Sequence, residues 1–164
     1  MERIFNSEYL CVGSGIQPFN AWLLLRGLRT LPARMAQITA TTQTVVEYLQ
    51  NHPRVEKVLF PMSPNFEQYE LAKKQMKNAC GLLTFVMKVD AMQEIEAFCD
   101  SLQHILMAVS WGGYESLIIP RCAGITADQF NVTDPMDRSL RLYVGLEEAD
   151  YIIADLEQAF GKHG

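Results

Sequence analysis

The stretch Ile105-Leu106-Met107-Ala108-Val109-Ser110-Trp111-Gly112-Gly113-Tyr114-Glu115-Ser116-Leu117-Ile118-Ile119 decides how the rest of the chain assembles. Ile105 to Val109 is an unbroken apolar run of strand length and reads as a short buried strand. Ser110, Trp111 and two adjacent glycines interrupt it. A second apolar run, Leu117 to Ile119, follows and is stopped by Pro120. Paired glycines release the backbone from Cβ sterics, so they permit positive φ or the close approach of another group. The stretch is either a plain turn between strands or the lip of a site.

Strands flank it on both sides. Leu82 to Val89 alternates strictly, with Leu83, Phe85, Met87 and Val89 on one face and Leu82, Thr84, Val86 and Lys88 on the other. Both faces carry apolar residues, so both are at least partly covered. Ser139 to Val144 alternates too. Leu140, Leu142 and Val144 point one way, and Ser139, Arg141 and Tyr143 the other. Val55 to Phe60 is a shorter strand closed by Pro61.

Helical spacing fills the intervals. In Ala33 to Gln50, Met35, Ile38, Thr42, Val45, Val46 and Leu49 recur on one face. Phe66 to Met76, Ala91 to Leu102 and Ala149 to Phe160 carry similar stripes. Pro18 suits the first turn of an earlier helix. Gly27 punctuates that helix, and residues 26–32 read as a break, with Thr30 as N-cap and Pro32 in the opening turn of the next helix. The expected fold is α+β, a small, mostly antiparallel sheet with helices packed on one face. Residues 1–15 read as a connecting segment and 16–164 as one domain.

Composition narrows the function classes. The chain has 164 residues, with 14 Lys+Arg against 19 Asp+Glu and a net charge of −5. Charges are interspersed and no basic cluster occurs, which argues against a nucleic-acid partner. The apolar runs are too short to span a bilayer, so no membrane partner is expected. Met1-Glu2-Arg3 is followed by polar residues rather than the apolar core of a signal peptide, and a cytoplasmic location is expected. Cys11, Cys80, Cys99 and Cys122 are widely spaced and form no CxxC pair. They read as free thiols, with no metal site. His52 closes a helix, where a cation suits the dipole.

No GxSxG, P-loop, GxGxxG or HExxH pattern is present, and no catalytic residue is expected within this chain. Arg141 stands out, a guanidinium in a strand interior. It must be solvated or paired, because burying an unpaired charge is costly. It is therefore part of a wetted sheet face, or of an internal salt bridge, or a fork for a carboxylate or phosphate. Ser110 could add a hydroxyl to the same anion. Glu115 reads as a structural partner for an arginine or a backbone amide.

Three segments together resemble one family. They are Arg26-Gly27-Leu28-Arg29-Thr30-Leu31-Pro32-Ala33-Arg34-Met35, Ser110-Trp111-Gly112-Gly113-Tyr114-Glu115-Ser116-Leu117-Ile118 and Leu140-Arg141-Leu142-Tyr143-Val144-Gly145-Leu146-Glu147. In order and spacing they resemble the C-terminal part of the Cys/Met-metabolism enzymes that use pyridoxal phosphate. The closing helix, with Asp155-Leu156-Glu157-Gln158-Ala159, matches as well.

The resemblance implies an aminotransferase-type (fold type I) C-terminal domain and a homo-oligomeric full-length enzyme. It implies that Arg141 binds the α-carboxylate of an amino-acid substrate, helped by Ser110 and flanked by Trp111. Tryptophan at position 111 favours the β-lyases, which release a thiol, pyruvate and ammonia from cystathionine or related cysteine S-conjugates. The alternatives are a γ-acting member and a non-catalytic module of the same fold. The family's Schiff-base lysine and phosphate-binding residues belong to an N-terminal domain that precedes residue 1. Pyridoxal phosphate is thus expected in the full-length enzyme, on that N-terminal domain as partner, and not bound to this chain alone.

Overall fold

The computed structural model describes residues 2, 4–9 and 15–161. The chain divides into two compact units, Met1–Arg34 and Met35–Gly164.

The first unit holds a π-helical run, Ile4–Tyr9, and helix α1, Pro18–Arg29. Pro18 opens α1, where its missing N–H has no partner to lose. The break expected at residues 26–32 is one residue long. Gly27 lies inside α1, and α2 (Leu31–Asn51) begins directly after Thr30. Thr30 closes α1 and its carbonyl accepts the Arg34 N–H of α2 at 3.1 Å, but its hydroxyl turns back to α1 instead of capping the amides of α2. Its N–H reaches the carbonyls of Gly27 and Leu28, and its hydroxyl donates to Gly27 O at 3.2 Å. Arg34 adds a 2.9 Å bond to the same Gly27 carbonyl. These donors satisfy the carbonyls left open at a helix end, so the hydroxyl has no need of the next helix's amides. No residue of α1 is buried.

In the second unit, strands β1 (Val55–Leu59), β2 (Leu82–Met87), β3 (Leu106–Met107), β4 (Leu117–Pro120) and β5 (Ser139–Tyr143) form one sheet in the order β1-β2-β5-β4-β3. All neighbours are antiparallel except β3 and β4, which are parallel, with Leu106 beside Leu117 and Met107 beside Ile118. β5 is central. Leu83, Phe85 and Met87 of β2, Leu140 and Leu142 of β5 and Ile118 of β4 share one buried face. Against it pack Val45, Val46 and Leu49 of α2, Ile95 and Phe98 of α4 (Met92–Ser101), and Ile152, Leu156 and Phe160 of α5 (Ala149–Gly161). The fold is α+β, as the alternation of β2 and β5 implies.

Two expectations change. The helix expected over 66–76 is the shorter α3, Tyr69–Gln75. The chain before it steps through turns, with Ser63 N–H bonded to Phe60 O, Phe66 N–H to Ser63 O and Tyr69 N–H to Phe66 O. The strand expected to be buried over 105–109 is largely open. Ile105 is buried, but Leu106 and Met107 are each 58% exposed and Val109 is 71% exposed. β3 is a two-residue edge strand, so its outer side has no strand neighbour among the described residues.

The entry to β3 is tied down by Asp155 of α5. This carboxylate, 2% exposed, accepts the N–H groups of Gln103, His104 and Ile105 at 2.8, 2.9 and 2.8 Å.

Candidate functional site

β5 places Arg141 between Thr84 of β2 and Ile119 of β4, on the sheet face away from the helices. Its partners there, Thr84 and Ile119, leave it half-buried rather than sealed. A cavity of about 470 Å³ runs along this face past Leu59, Thr84, Ile119, Met136, Ser139 and Arg141. The guanidinium reaches back across β4. Its Nη2 donates to Val109 O and, at 3.4 Å, to Ser110 O. No carboxylate pairs with it, so the internal salt bridge is not the arrangement found among the described residues. Two carbonyls engage Nη2, and a guanidinium carries five N–H donors in a planar fork.

Arg141 and Ser110 are thus brought together, through the Ser110 backbone. The Ser110 side chain is exposed, and Trp111 is 62% exposed on the rim. Of the two adjacent glycines only Gly112 has positive φ, at 87°, with open space around it. Gly112 therefore makes the turn that lets Ser110 and Trp111 stand out from the sheet.

Residues not singled out from the sequence hold this turn. The Tyr143 hydroxyl donates to Gly113 O at 3.1 Å. Leu146 N–H donates to Tyr114 O at 2.8 Å. The Glu147 carboxylate accepts both the N–H and the hydroxyl of Ser116, each at 2.8 Å. That is the bond to a backbone amide expected of Glu115. The signal lay in the period of two from Arg141 through Tyr143 and Gly145 to Glu147, which continues one face of β5 past its end.

Other candidates serve the fold. His52 is not a helix-end cation. Its side chain is 8% exposed and stacks on Phe160 at 4.1 Å. Burial lowers its pKa below the ordinary imidazole value, against the pull of Glu157 Oε2 at 3.6 Å from Nε2, and Nδ1 accepts the Arg54 N–H at 3.2 Å. Burial pushes the Cys99 thiol up to about 12 and raises that of Cys122. Both are free, as is Cys80, while Cys11 lies outside the described residues. Lys57, Lys73, Lys74, Lys77 and Lys88 are exposed, and none lines the cavity beside Arg141.

Comparison with known proteins sets this site in context. The family model described as Cys/Met metabolism PLP-dependent enzyme matches residues 2–161. The chain is 40% identical to an L-methionine γ-lyase of Treponema denticola, over 92% of this chain and 38% of that protein. It is 34% identical to a cystathionine β-lyase of Escherichia coli, over 98% of this chain and 41% of that one. A solved structure of a putative O-acetylhomoserine (thiol)-lyase from Campylobacter jejuni, carrying a pyridoxyl-lysine phosphate, superposes with a TM-score of 0.75 at 33% identity. It is covered over 36% of its length and covers 98% of this chain. The chain therefore spans about two-fifths of the relatives it matches.

Proposed function

The chain belongs to the Cys/Met metabolism PLP-dependent enzymes, and from that premise we propose that it is the C-terminal substrate-clamping domain of a carbon–sulfur lyase. In this reading Arg141 binds the substrate α-carboxylate, and Ser110 and Trp111 form the adjoining wall. The observation that carries it is the position of Arg141, a half-buried guanidinium on an open sheet face, held against the Ser110 segment without a carboxylate partner among the described residues. Held this way, the fork is oriented before substrate arrives, which lowers the cost of ordering it on binding.

Pyridoxal phosphate, where bound, supplies the electron sink for such a reaction. The residues of this chain do not fit as its holder, since the described lysines are exposed and stand away from the Arg141 cavity. The lysine and the phosphate site belong, in this proposal, to an N-terminal domain of the full-length enzyme. That domain and further copies of the enzyme are its partners. No helix among the described residues is long and apolar enough to cross a membrane.

Trp111 favours β-elimination of cystathionine or a related cysteine S-conjugate, with a thiol, pyruvate and ammonia as products. The γ-acting reading is favoured by the 40% identity to a methionine γ-lyase. The full-length enzyme, given cystathionine, separates the two. Pyruvate supports β-elimination, and 2-oxobutyrate overturns it in favour of γ-elimination.

A further inference from the structure

Ser116 is a joint between four parts of the fold. It is 1% exposed. Its carbonyl accepts the Leu106 N–H of β3 at 3.3 Å. Its hydroxyl accepts the Gly145 N–H at 2.9 Å, beyond the end of β5. The same hydroxyl and the Ser116 N–H both donate to Glu147. On the N-terminal side of Ser116 runs the segment that carries Val109, Ser110 and Trp111.

We propose that Glu147, acting through Ser116, is a positioning residue that sets where the 109–114 segment stands and so where the Arg141 guanidinium is held. The proposal rests on the reading of Arg141, Ser110 and Trp111 as the carboxylate site. The physical case is one of acceptors. A buried serine presents two donors, N–H and O–H, and both must be met. A carboxylate meets both, one oxygen to each, with charge-assisted bonds. An amide in its place has one oxygen and turns a donor toward the other. Gly113 and Tyr114 are anchored through their backbone carbonyls, by the Tyr143 hydroxyl and the Leu146 N–H. Among the described residues, Glu147 is the acceptor that takes a side-chain and a backbone donor of Ser116 together, just beyond this segment. Gly145 allows the approach, since a Cβ there would lie 2.6 Å from both Glu115 C and Glu147 Oε2.

The test is hydrogen exchange on the 164-residue chain with Glu147→Gln, Ser116→Ala and both together. Exchange at the Ser116, Leu106 and Leu146 amides, whose bonds tie this segment to its surroundings, is expected to rise about tenfold in each single variant, the scale of one lost charge-assisted hydrogen bond. Amides of β2 and α5 are expected to keep their protection. The double variant is expected to be no worse than the singles, since both break one link. Unchanged exchange at the Ser116, Leu106 and Leu146 amides, additive effects, or loss of protection throughout the chain would each overturn the proposal. In the full-length enzyme, Glu147→Gln is expected to raise KM for the amino-acid substrate about tenfold at nearly constant kcat. A fall in kcat at constant KM would also overturn it. Failure of the carboxylate reading itself shows separately, as an Arg141→Ala enzyme with unchanged KM, and leaves the exchange result standing.

Discussion

Asp155 and Arg141 show opposite uses of one buried or half-buried charge. Burial works to raise the Asp155 pKa, but the amides of Gln103, Ile105 and His104, with Gln158, outweigh it and hold the carboxyl below the usual aspartate range. All of its acceptor capacity is spent inside the fold. Asp155→Asn is expected to destabilise the chain by about 2–3 kcal/mol, because an amide cannot accept from three N–H groups. Urea unfolding measures it. Because the folded pKa is depressed, the Asp155 contribution is whole above the unfolded value of about 3.9 and is lost as pH falls through the folded pKa. His52 adds an earlier window. Its folded pKa is lowered by burial, so the unfolded chain takes the proton first. Stability from that source is whole above about pH 6.5 and declines as pH falls below it. His52→Phe, which keeps the stack on Phe160, should flatten the upper window of urea midpoint against pH and leave the lower one. Among the described residues, Arg141 spends only part of its donor set on the protein. In the full-length enzyme, Arg141→Ala is expected to weaken amino-acid binding by about 2–5 kcal/mol, the usual cost of truncating a desolvated charged pair. Steady-state KM and inhibitor binding measure it.

At the scale of elements, β5 organises both faces of the sheet. Leu140 and Leu142 enter the core, while Arg141 and Tyr143 face the glycine turn. Continuing that period, Gly145 and Glu147 reach the same turn from beyond the strand. Glycines therefore differ by place. A Cβ at Gly145 would meet the backbone of Tyr114 and Glu115. Gly145→Ala is expected to cost about 1–3 kcal/mol through overpacking. Gly112→Ala meets no atom but keeps a positive φ, for about 1–2 kcal/mol. Gly27→Ala, inside α1 with nothing within 4 Å, is expected to stabilise by about 0.5–1 kcal/mol. Thermal melts of the three variants check the order, and a destabilised Gly27→Ala would contradict the helical placement of that residue. The strand alternation at Leu82 to Val89 and Ser139 to Val144 was plain in the sequence, because each strand packs one face on helices. The role of Thr30 was not. A hydroxyl between two helices suits the end of one as well as the start of the next, and only the backbone geometry decides.

For the molecule as a whole, exposed apolar surface is the main feature. α1 buries none of its residues, although it carries Phe19, Trp22, Leu24, Leu25 and Leu28. In the second unit Leu106, Met107, Val109 and Trp111 are more than half exposed along and beyond β3. Surface of this kind is rare on a lone soluble chain and marks contact with something else. In the proposed full-length enzyme its natural cover is the N-terminal domain and other copies. The 164-residue chain by itself is expected to self-associate with rising concentration, as light scattering would show, and a clean monomer at high concentration would count against an uncovered interface. Added pyridoxal phosphate is expected to leave no borohydride-fixed lysine adduct at a single site. A stoichiometric adduct would mean that the chain holds the cofactor after all.

Periodicity in the sequence determined the α+β layering, since apolar stripes at spacings of two and 3.6 residues can be buried in only a few ways. The three matching segments determined the family, because their residues and spacing are specific together. Tertiary structure decided the rest. It left Leu106, Met107 and Val109 open, with only Ile105 of that run buried, because burial depends on which strands stand beside it. It turned His52 from a helix-end cation into a ring stacked on Phe160 with its pKa lowered by burial, because Phe160 arrives from a distant helix. It gave the amide partnership expected of Glu115 to Glu147, because a hydrogen bond follows the path of the chain in space and not proximity in sequence.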